Sequence, residues 1–525
     1  MKIIESKSLE SRKNEVKCDV CVVGGGTAGI YLGVQLVKKG LTVVILEAGG
    51  RVCADAESLG FEAEFNGTPY RGAIEGRAFG LGGTTSRWGG LVIPHSEQDC
   101  RPTGESGFDP WQHIVSVVDQ YADDVYRTLG FTSPPENAEA RMFLGDTVDR
   151  LEDSGIRTKI ARYLPFRQKN FSTLLDDLPS GKEDLTIFLN AVAREWQVTM
   201  DPNGKSRVMA AKAQCGVNTV TVTADSFVLA AGAIESARIL LEIERQLDFD
   251  PFQPESAIGH YLGDHLSCSV ATVSEKNWEK AVGLFQPRFA EGKMCSFRFL
   301  DHSVPTEAPR AFAHFVFDDK NDGFELAKKV LRGMQSKSMP DVSLGEVVRG
   351  ASGISQLAWQ RLVNSRLHIS NEADIRFQLD IEQEPHPDNK ITLEKKKDEL
   401  GRPVPLIEWE IREADYEAIR ETTNRFLRKW PGGKRDVPEL TPLPEEASER
   451  KPHDAYHPVG ICRLGTDEES VVDPELKVHG TKNLNVLSTG IFPSAGSANP
   501  TFSMLCFSEL LADCLGGKVN IRRCF

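Results

Sequence analysis

No stretch of this sequence is both long and apolar: the run around Val228 to Leu241 is interrupted by Glu235 and Arg238, so no membrane-spanning helix is expected. The amino terminus, MKIIESKSLESRKNEVK, lacks the apolar centre of a secretory leader, and a cytoplasmic location is the expectation. Positive charge is in deficit. Lys and Arg number 62 against 76 Asp and Glu, and the net charge of −14 repels phosphate backbones and anionic surfaces, so neither nucleic acid nor membrane is an expected partner. The eleven cysteines are odd in number and irregularly spaced, which excludes a disulfide framework and implies reduced thiols. No histidine, cysteine or carboxylate cluster has metal-ligand spacing, so no metal is expected, and no low-complexity segment is present.

What remains is the composition of a globular protein, 40% hydrophobic and 26% charged, over 525 residues. That length exceeds what one core usually supports, so two structural units are expected. Cys18 and Cys21 form a C-x-x-C, but residues 17–23 read as a strand, in which positions three apart point to opposite faces. Redox or metal chemistry there is disfavoured.

The strand CDVCVV leads directly into Gly24-Gly25-Gly26-Thr27-Ala28-Gly29, which satisfies G-x-G-x-x-G. Gly24 serves the tight turn, Gly26 the close approach of a pyrophosphate, and Gly29 the packing of helix on strand. IYLGVQLVKKG reads as the helix, ending at Gly40, and LTVVILEAG as a second strand ending at Glu47. Glu47 lies 23 residues after Gly24, where an acid can accept hydrogen bonds from an adenosine ribose. Strand, glycines, helix, strand and acid in this order predict a dinucleotide site, without deciding between NAD and FAD.

A second glycine-rich segment, Gly76 to Gly90 (GRAFGLGGTTSRWGG), describes backbone that must lie close to something flat or charged. It resembles the flavin-contacting loop of the glucose-methanol-choline (GMC) oxidoreductase family. Further blocks share the resemblance: LNAVAREW, FVLAAGAIESARILL, IGHYLGDHLS, and at the carboxy end YHPVGICRLG, VVDPELKVHGTKNLNVL and GIFPSAGSANPTFSML.

The resemblance implies an α/β fold: a discontinuous Rossmann-like FAD-binding domain of glutathione-reductase type (1–100, 184–269 and 455–525) and a mixed-sheet α+β substrate domain or cap (101–183 and 270–454). It implies FAD as cofactor, contacted by Gly24, Gly26, Thr27, Ala28, Gly29, Glu47, Arg77, Gly82, Gly83, Thr84, Arg87, Trp88, Gly89 and Gly90. To these it adds Val192 beside adenine, then Ala231, Gly232, Gly490, Asn499, Pro500 and Thr501. Some sugar oxidases of the family attach FAD through a histidine just before the conserved Trp; Arg87 stands there, so non-covalent FAD is expected. Gly89 replaces the threonine those enzymes carry.

His457 falls on the family's catalytic histidine and Asn499 on its second active-site position. Imidazole suits removal of a hydroxyl proton near neutral pH as hydride leaves for flavin N5. Ala498-Asn499-Pro500, followed by TFSMLCFSELLADCL, reads as a helix start, whose N–H groups and positive dipole end could stabilise the reduced flavin anion. His265, His386 and His479 read as structural, fixing turns.

The resemblance implies an alcohol oxidase or dehydrogenase acting on CH–OH, with EQEPHPDNKITLEKKKDELGRPVPLIEWEI pointing to the branch that acts on sugars, aminocyclitols and glycosides. O2 or another acceptor would reoxidise the flavin. In ADIRFQLDIEQ, Gln378, Asp380 and Glu382 alternate with apolar residues as in a half-buried strand, and their polar row could bind a polyol, though such a row more often meets water. FELAKKVLRGM (Phe324 to Met334) reads as a surface helix or, second, as a lid. Two other readings stay open: a lyase of the same fold, similar to hydroxynitrile lyases, that keeps FAD without reducing it, and a non-catalytic flavin-binding protein.

Overall fold

Why Val20–Val23, just before the first glycines, is apolar on every residue is explained by its neighbours. It ends a strand, Asn14–Val23, that pairs in parallel with Val43–Leu46 on one edge and Asn218–Leu229 on the other. Val20, Cys21 and Val22 are buried because helices cover the sheet on both faces. The computed structural model describes residues 1–5, 14–101, 107–132, 137–178, 184–305, 308–340, 342–433 and 436–517. Leu185–Leu189 and Lys2–Glu5 extend the parallel sheet outward. Asn218–Leu229 carries Ser206–Cys215 antiparallel along its first half and Leu484–Val486 parallel along its second, and Val192–Met200 completes the eight strands.

The two thiols of the C-x-x-C are buried and free, and burial pushes the Cys18 thiol up to about 12, so it has no thiolate character at neutral pH.

Thr27–Lys38 packs beside Thr501–Leu515, and Pro110–Thr128 lies against the latter. The second sheet has nine strands, ordered along its main path as Thr441–Pro442, His265–Thr272, Asp374–Glu382, Ala311–Asp318, Lys293–Asp301, Ile156–Tyr163 and Leu91–Val92. Its core is aromatic: Phe285, Phe299, Phe315, Phe377 and Trp430 contact one another, with Phe299 and Phe377 fully buried. Each such ring stabilises the sheet by about 1.5–3 kcal/mol. Every pairing in this sheet is antiparallel. The α+β character stands; beside this sheet lies a mixed three-stranded one, where Pro403–Trp409 runs antiparallel to Lys390–Lys397 and parallel to Glu64–Gly67.

The segments grouped by sequence cross in space at several points. Leu91–Val92 and His265–Thr272 lie in the antiparallel sheet, Glu64–Gly67 joins the small sheet, and Pro110–Thr128 packs on the helix Thr501–Leu515.

The strand Asp374–Glu382 corrects another expectation. It is central rather than half-buried, and Asp380 and Glu382 are 5% and 3% exposed. Asp380 accepts from Ser267 Oγ at 2.6 Å and His314 Nε2 at 3.0 Å; Glu382 accepts from Arg101, Arg310 N–H, Ser494 Oγ and Gly496 N–H. Gln378 donates to Ser267 Oγ at 2.6 Å. A polar row of period two looks the same whether it meets water or a second polar layer, and here Asp380 and Glu382 meet the layer.

Candidate active site

Three helices begin at one cleft: Thr27–Lys38, Gly232–Gln246 and Thr501–Leu515, and residues at each start line it. None has a side-chain cap, so the N–H groups of each first turn are available to an anion. The cleft encloses about 1260 Å³ of space not filled by atoms, part of it open to solvent.

The glycines explain how backbone reaches it. Gly24 has φ +107° and a Cβ there would lie 2.5 Å from Ala230 O; on Gly29 it would lie 1.9 Å from Gly24 O. The two glycine-rich segments touch at Gly26 and Gly83, where a Cβ on Gly83 would come within 2.8 Å of Gly26 Cα. Glu47 is buried at the end of its strand and accepts N–H bonds from Gly25 at 2.6 Å and Gly49 at 2.7 Å. Burial pushes its pKa up and these N–H groups pull it back. Each oxygen keeps a second acceptor direction, and the residue lines the cleft.

Beside this cleft, His457 and Asn499 meet: Asn499 Nδ2 lies 3.0 Å from His457 Nε2. The other ring nitrogen, Nδ1, is 3.1 Å from His265 Nδ1, and His265 Nε2 is 2.9 Å from the Gly496 carbonyl. These contacts assign the tautomers. A carbonyl only accepts, so His265 carries its proton on Nε2 and offers a lone pair at Nδ1; His457 then carries its proton on Nδ1 and leaves Nε2 as a free base. Asp264 fixes both backbones, accepting the N–H of His265 at 2.7 Å and of His457 at 2.9 and 3.0 Å, and Tyr70 OH donates to it. Burial pushes Asp264 up to about 8. Asn499 Oδ1 is buried without a hydrogen-bond partner.

A model of the GMC oxidoreductase family matches residues 385–508, and one of an NAD(P)-binding Rossmann-like domain matches residues 22–74. Paromamine 6'-oxidase of Streptomyces fradiae is 23% identical over 98% of this chain and 94% of its own length. The 6'''-hydroxyparomomycin C oxidase of Streptomyces lividus is 23% identical over 93% and 89%. The crystal structure of pyridoxine 4-oxidase from Mesorbium loti superposes with a TM-score of 0.56 at 16% identity, covering 95% of this chain and 99% of that one. The carboxy-terminal part of this chain, residues 385–508, is that of a GMC oxidoreductase.

As a GMC oxidoreductase it uses FAD and oxidises a CH–OH group. The cleft fits that cofactor: uncapped helix starts suit a pyrophosphate, side-chain-free backbone admits close approach, and a buried acid stands at the end of the second strand.

Of the residues expected to hold FAD, Gly24, Gly26, Thr27, Ala28 and Glu47 line the cleft, as do Arg77, Gly83, Thr84, Val192, Ala231, Gly232 and Thr501. Others stand behind it. Gly29 and Gly82 serve packing, a Cβ on Gly82 meeting Asn170 Oδ1 at 2.1 Å. Arg87 is a correction: its side chain is 41% exposed and pairs with Asp55, away from the cleft. Trp88 donates to Lys169 O at 2.8 Å and packs edge-on against Phe171, and Gly90 lies against the Lys169 stem. Gly89, Gly490 and Pro500 adjoin the cleft without lining it. The helix containing Phe324 to Met334 spans Asp322–Ser336, and its Gln335 donates to Thr85 O and Trp88 O, both at 2.9 Å, pinning its end on the glycine-rich loop.

Sequence reasoning missed His265 and Asp264, although both lie in the quoted block IGHYLGDHLS. His265 is a positioning residue for His457; His386 and His479 do hold turns, through Asp388 N–H and Gly465 O.

Burial, with His265 alongside, pushes His457 down to about 3. A group whose protonated form is disfavoured this far stays a free base as pH falls through 6.5. The rate of flavin bleaching by an alcohol is therefore expected to show no acid limb near 6.5 between pH 5 and 8. A limb with a midpoint near 6.5 that disappears in His457→Ala would contradict the assignment.

Proposed function

We propose that this enzyme oxidises a carbinol on a sugar-like molecule, a glycoside or aminocyclitol, with His457 as base and Asn499 as the group that holds the same oxygen. The observation that carries the chemistry is the unprotonated His457 Nε2, which accepts from Asn499 Nδ2 at 3.0 Å. A substrate hydroxyl that replaces this contact donates its proton to Nε2 and accepts from Nδ2, so proton removal and orientation fall on one oxygen. FAD, when bound, supplies the hydride acceptor. Thr501 and the free N–H groups of its helix start stabilise negative charge arising at that end of the cleft. His265 keeps the His457 proton on Nδ1, so that Nε2 is always the base.

The substrate class rests on the two relatives that span nearly the whole chain, oxidases of paromamine and of 6'''-hydroxyparomomycin C. Asp380 and Glu382 have their oxygens engaged and support the fold; Glu382 holds the Ser494–Gly496 loop whose carbonyl orients His265. Of the polar row, only Gln378 remains as a substrate contact. The cofactor is held non-covalently, since Arg87 stands where an attaching histidine would be needed, and segments 101–183 and 270–454 supply most of the roof over the substrate.

Anaerobic titration of the yellow protein with monosaccharides, glycosides, aminocyclitols and simple alcohols tests this reading. Bleaching at about 450 nm by a polyol is expected, with recovery in air if O2 is the acceptor. Bleaching by dithionite alone would remove the sugar-like assignment and favour the lyase.

A further inference from the structure

The helix Leu344–Asn364 turns its apolar side away from the protein. Its packed face is made of glycine: a Cβ on Gly353 would lie 2.8 Å from Gly323 Cα, and one on Gly350 would lie 2.7 Å from Leu326 Cδ2, both in the preceding helix Asp322–Ser336. On the opposite side Leu344, Val348, Ala351, Ser355, Trp359 and Leu362 recur at spacings of three and four, one continuous stripe. Leu344 is 86% exposed, Val348 76%, Trp359 64% and Leu362 82%, and Met339 at the turn between the helices is 96% exposed. An amphipathic helix that places glycines inward and leucine and tryptophan outward exposes an apolar stripe that is unfavourable in water until something covers it.

Charge says what covers it. Residues 322–364 hold six Lys and Arg against four Asp and Glu, in a chain whose net charge is −14. By helical spacing Arg349 flanks the stripe on one side and Arg361 on the other, both exposed, with Asp322 3.9 Å from Arg349 on the side of the neighbouring helix and the Arg361 guanidinium 5.0 Å from the centre of the Phe289 ring. Glu346, the acid of this helix, is turned to Lys329 and its own cap Ser343. Two copies meeting stripe to stripe would therefore set arginine beside arginine with no carboxylate on that face to pair them. An apolar stripe with one tryptophan and arginine on both flanks matches an interface between acyl chains and anionic headgroups.

We propose that the hairpin Asp322–Asn364 docks this enzyme on an anionic lipid surface through the Leu344–Leu362 stripe. The mean charge of the chain opposes such contact, but the hairpin carries the opposite sign and meets the surface first, within a Debye length. Among the described residues no helix is long and apolar enough to cross a membrane, so the contact is peripheral and reversible. Because Gln335 ends the first helix on Thr85 O and Trp88 O, the docked hairpin lies next to the glycine-rich loop.

Co-sedimentation of the full-length protein with vesicles tests this, using phosphatidylcholine alone and phosphatidylcholine mixed with phosphatidylglycerol, at low and at high salt. The protein is expected to pellet with the anionic vesicles at low salt and to be released at high salt. Leu344→Ser with Leu362→Ser should lower partition by about tenfold or more, and Arg349→Gln and Arg361→Gln by roughly fivefold each. Melting temperature and flavin absorbance stay unchanged, because none of these side chains supports the core or lines the cleft. Protein left in the supernatant with anionic vesicles at low salt would overturn the proposal, as would partition indifferent to the serine pair. A wild-type dimer that the serine pair converts to monomer would assign the stripe to a second copy instead.

Discussion

Replacing His457 by alanine should leave FAD bound and lower the rate of alcohol-dependent flavin bleaching by about 10²–10⁴-fold, the range over which a positioned base contributes. FAD stays because the cleft is built from helix starts, glycines and Glu47, none of which rests on the imidazole. The partner variant His265→Phe separates positioning from fold. Without the acceptor at His265 Nδ1, the His457 proton can sit on either nitrogen, and the fraction with Nε2 free falls. The expected result is a drop in kcat with KM nearly unchanged, and no additive loss when His265→Phe is combined with His457→Ala, because the first acts through the second. Stopped-flow bleaching with absorbance as a check on bound flavin reads all three variants. Losses that simply add in the double variant would place His265 outside the relay, and full activity in His457→Ala would remove His457 from the chemistry.

The amino-terminal half of the site was legible because each of its parts is local. A strand, three glycines, a helix and an acid occupy residues 18–47, and the structure brings Gly24, Gly26 and Glu47 to one cleft as that order implies. The helix start after Asn499 was legible for the same reason, since Pro500 and an apolar period suffice. The histidine relay was not. His265 and His457 are 192 residues apart in sequence, and His265 looked structural because nothing in IGHYLGDHLS says that its ring faces another imidazole. Arg87 and Glu382 failed the other way. A charged residue in a motif was read as facing a ligand, and only the structure shows Asp55 and the Ser494–Gly496 loop as the actual partners. Strand alternation at Asp374–Glu382 likewise gave the element correctly and its burial wrongly, because a polar row has the same period whether water or buried side chains lie beyond it.

Arg238→Leu should cost about 3–5 kcal/mol of stability, the usual penalty for leaving buried charge without its partner. The Arg238 side chain is wholly buried and lies 2.8 Å from Asp398, 3.1 Å from Glu242 and 3.6 Å from Glu235, donating also to Pro403 O at 2.7 Å. Arg77 and Arg402 complete the cluster, reaching Glu235 at 2.7 and 3.5 Å and, from Arg402, Asp398 at 3.2 Å. Three guanidiniums thus balance three carboxylates, and leucine leaves two against three. Burial already pushes Glu242 up to about 7. In the variant that pKa rises further, and a carboxyl raised above its unfolded value contributes stability that is full below the unfolded value and is lost as pH rises through the folded one. The fall in melting temperature relative to wild type should therefore be larger at pH 8 than at pH 6. Glu242→Gln in the same chain should restore part of it by removing the surplus negative charge. Because Arg77 comes from the glycine-rich loop and Glu235 from the first turn of the helix Gly232–Gln246, both lining the cleft, the variant should also release FAD more readily on gel filtration. Melting like wild type at pH 8 would mean that the cluster relaxes or admits water when its central cation is lost, and that its charges do not couple the helix to the loop.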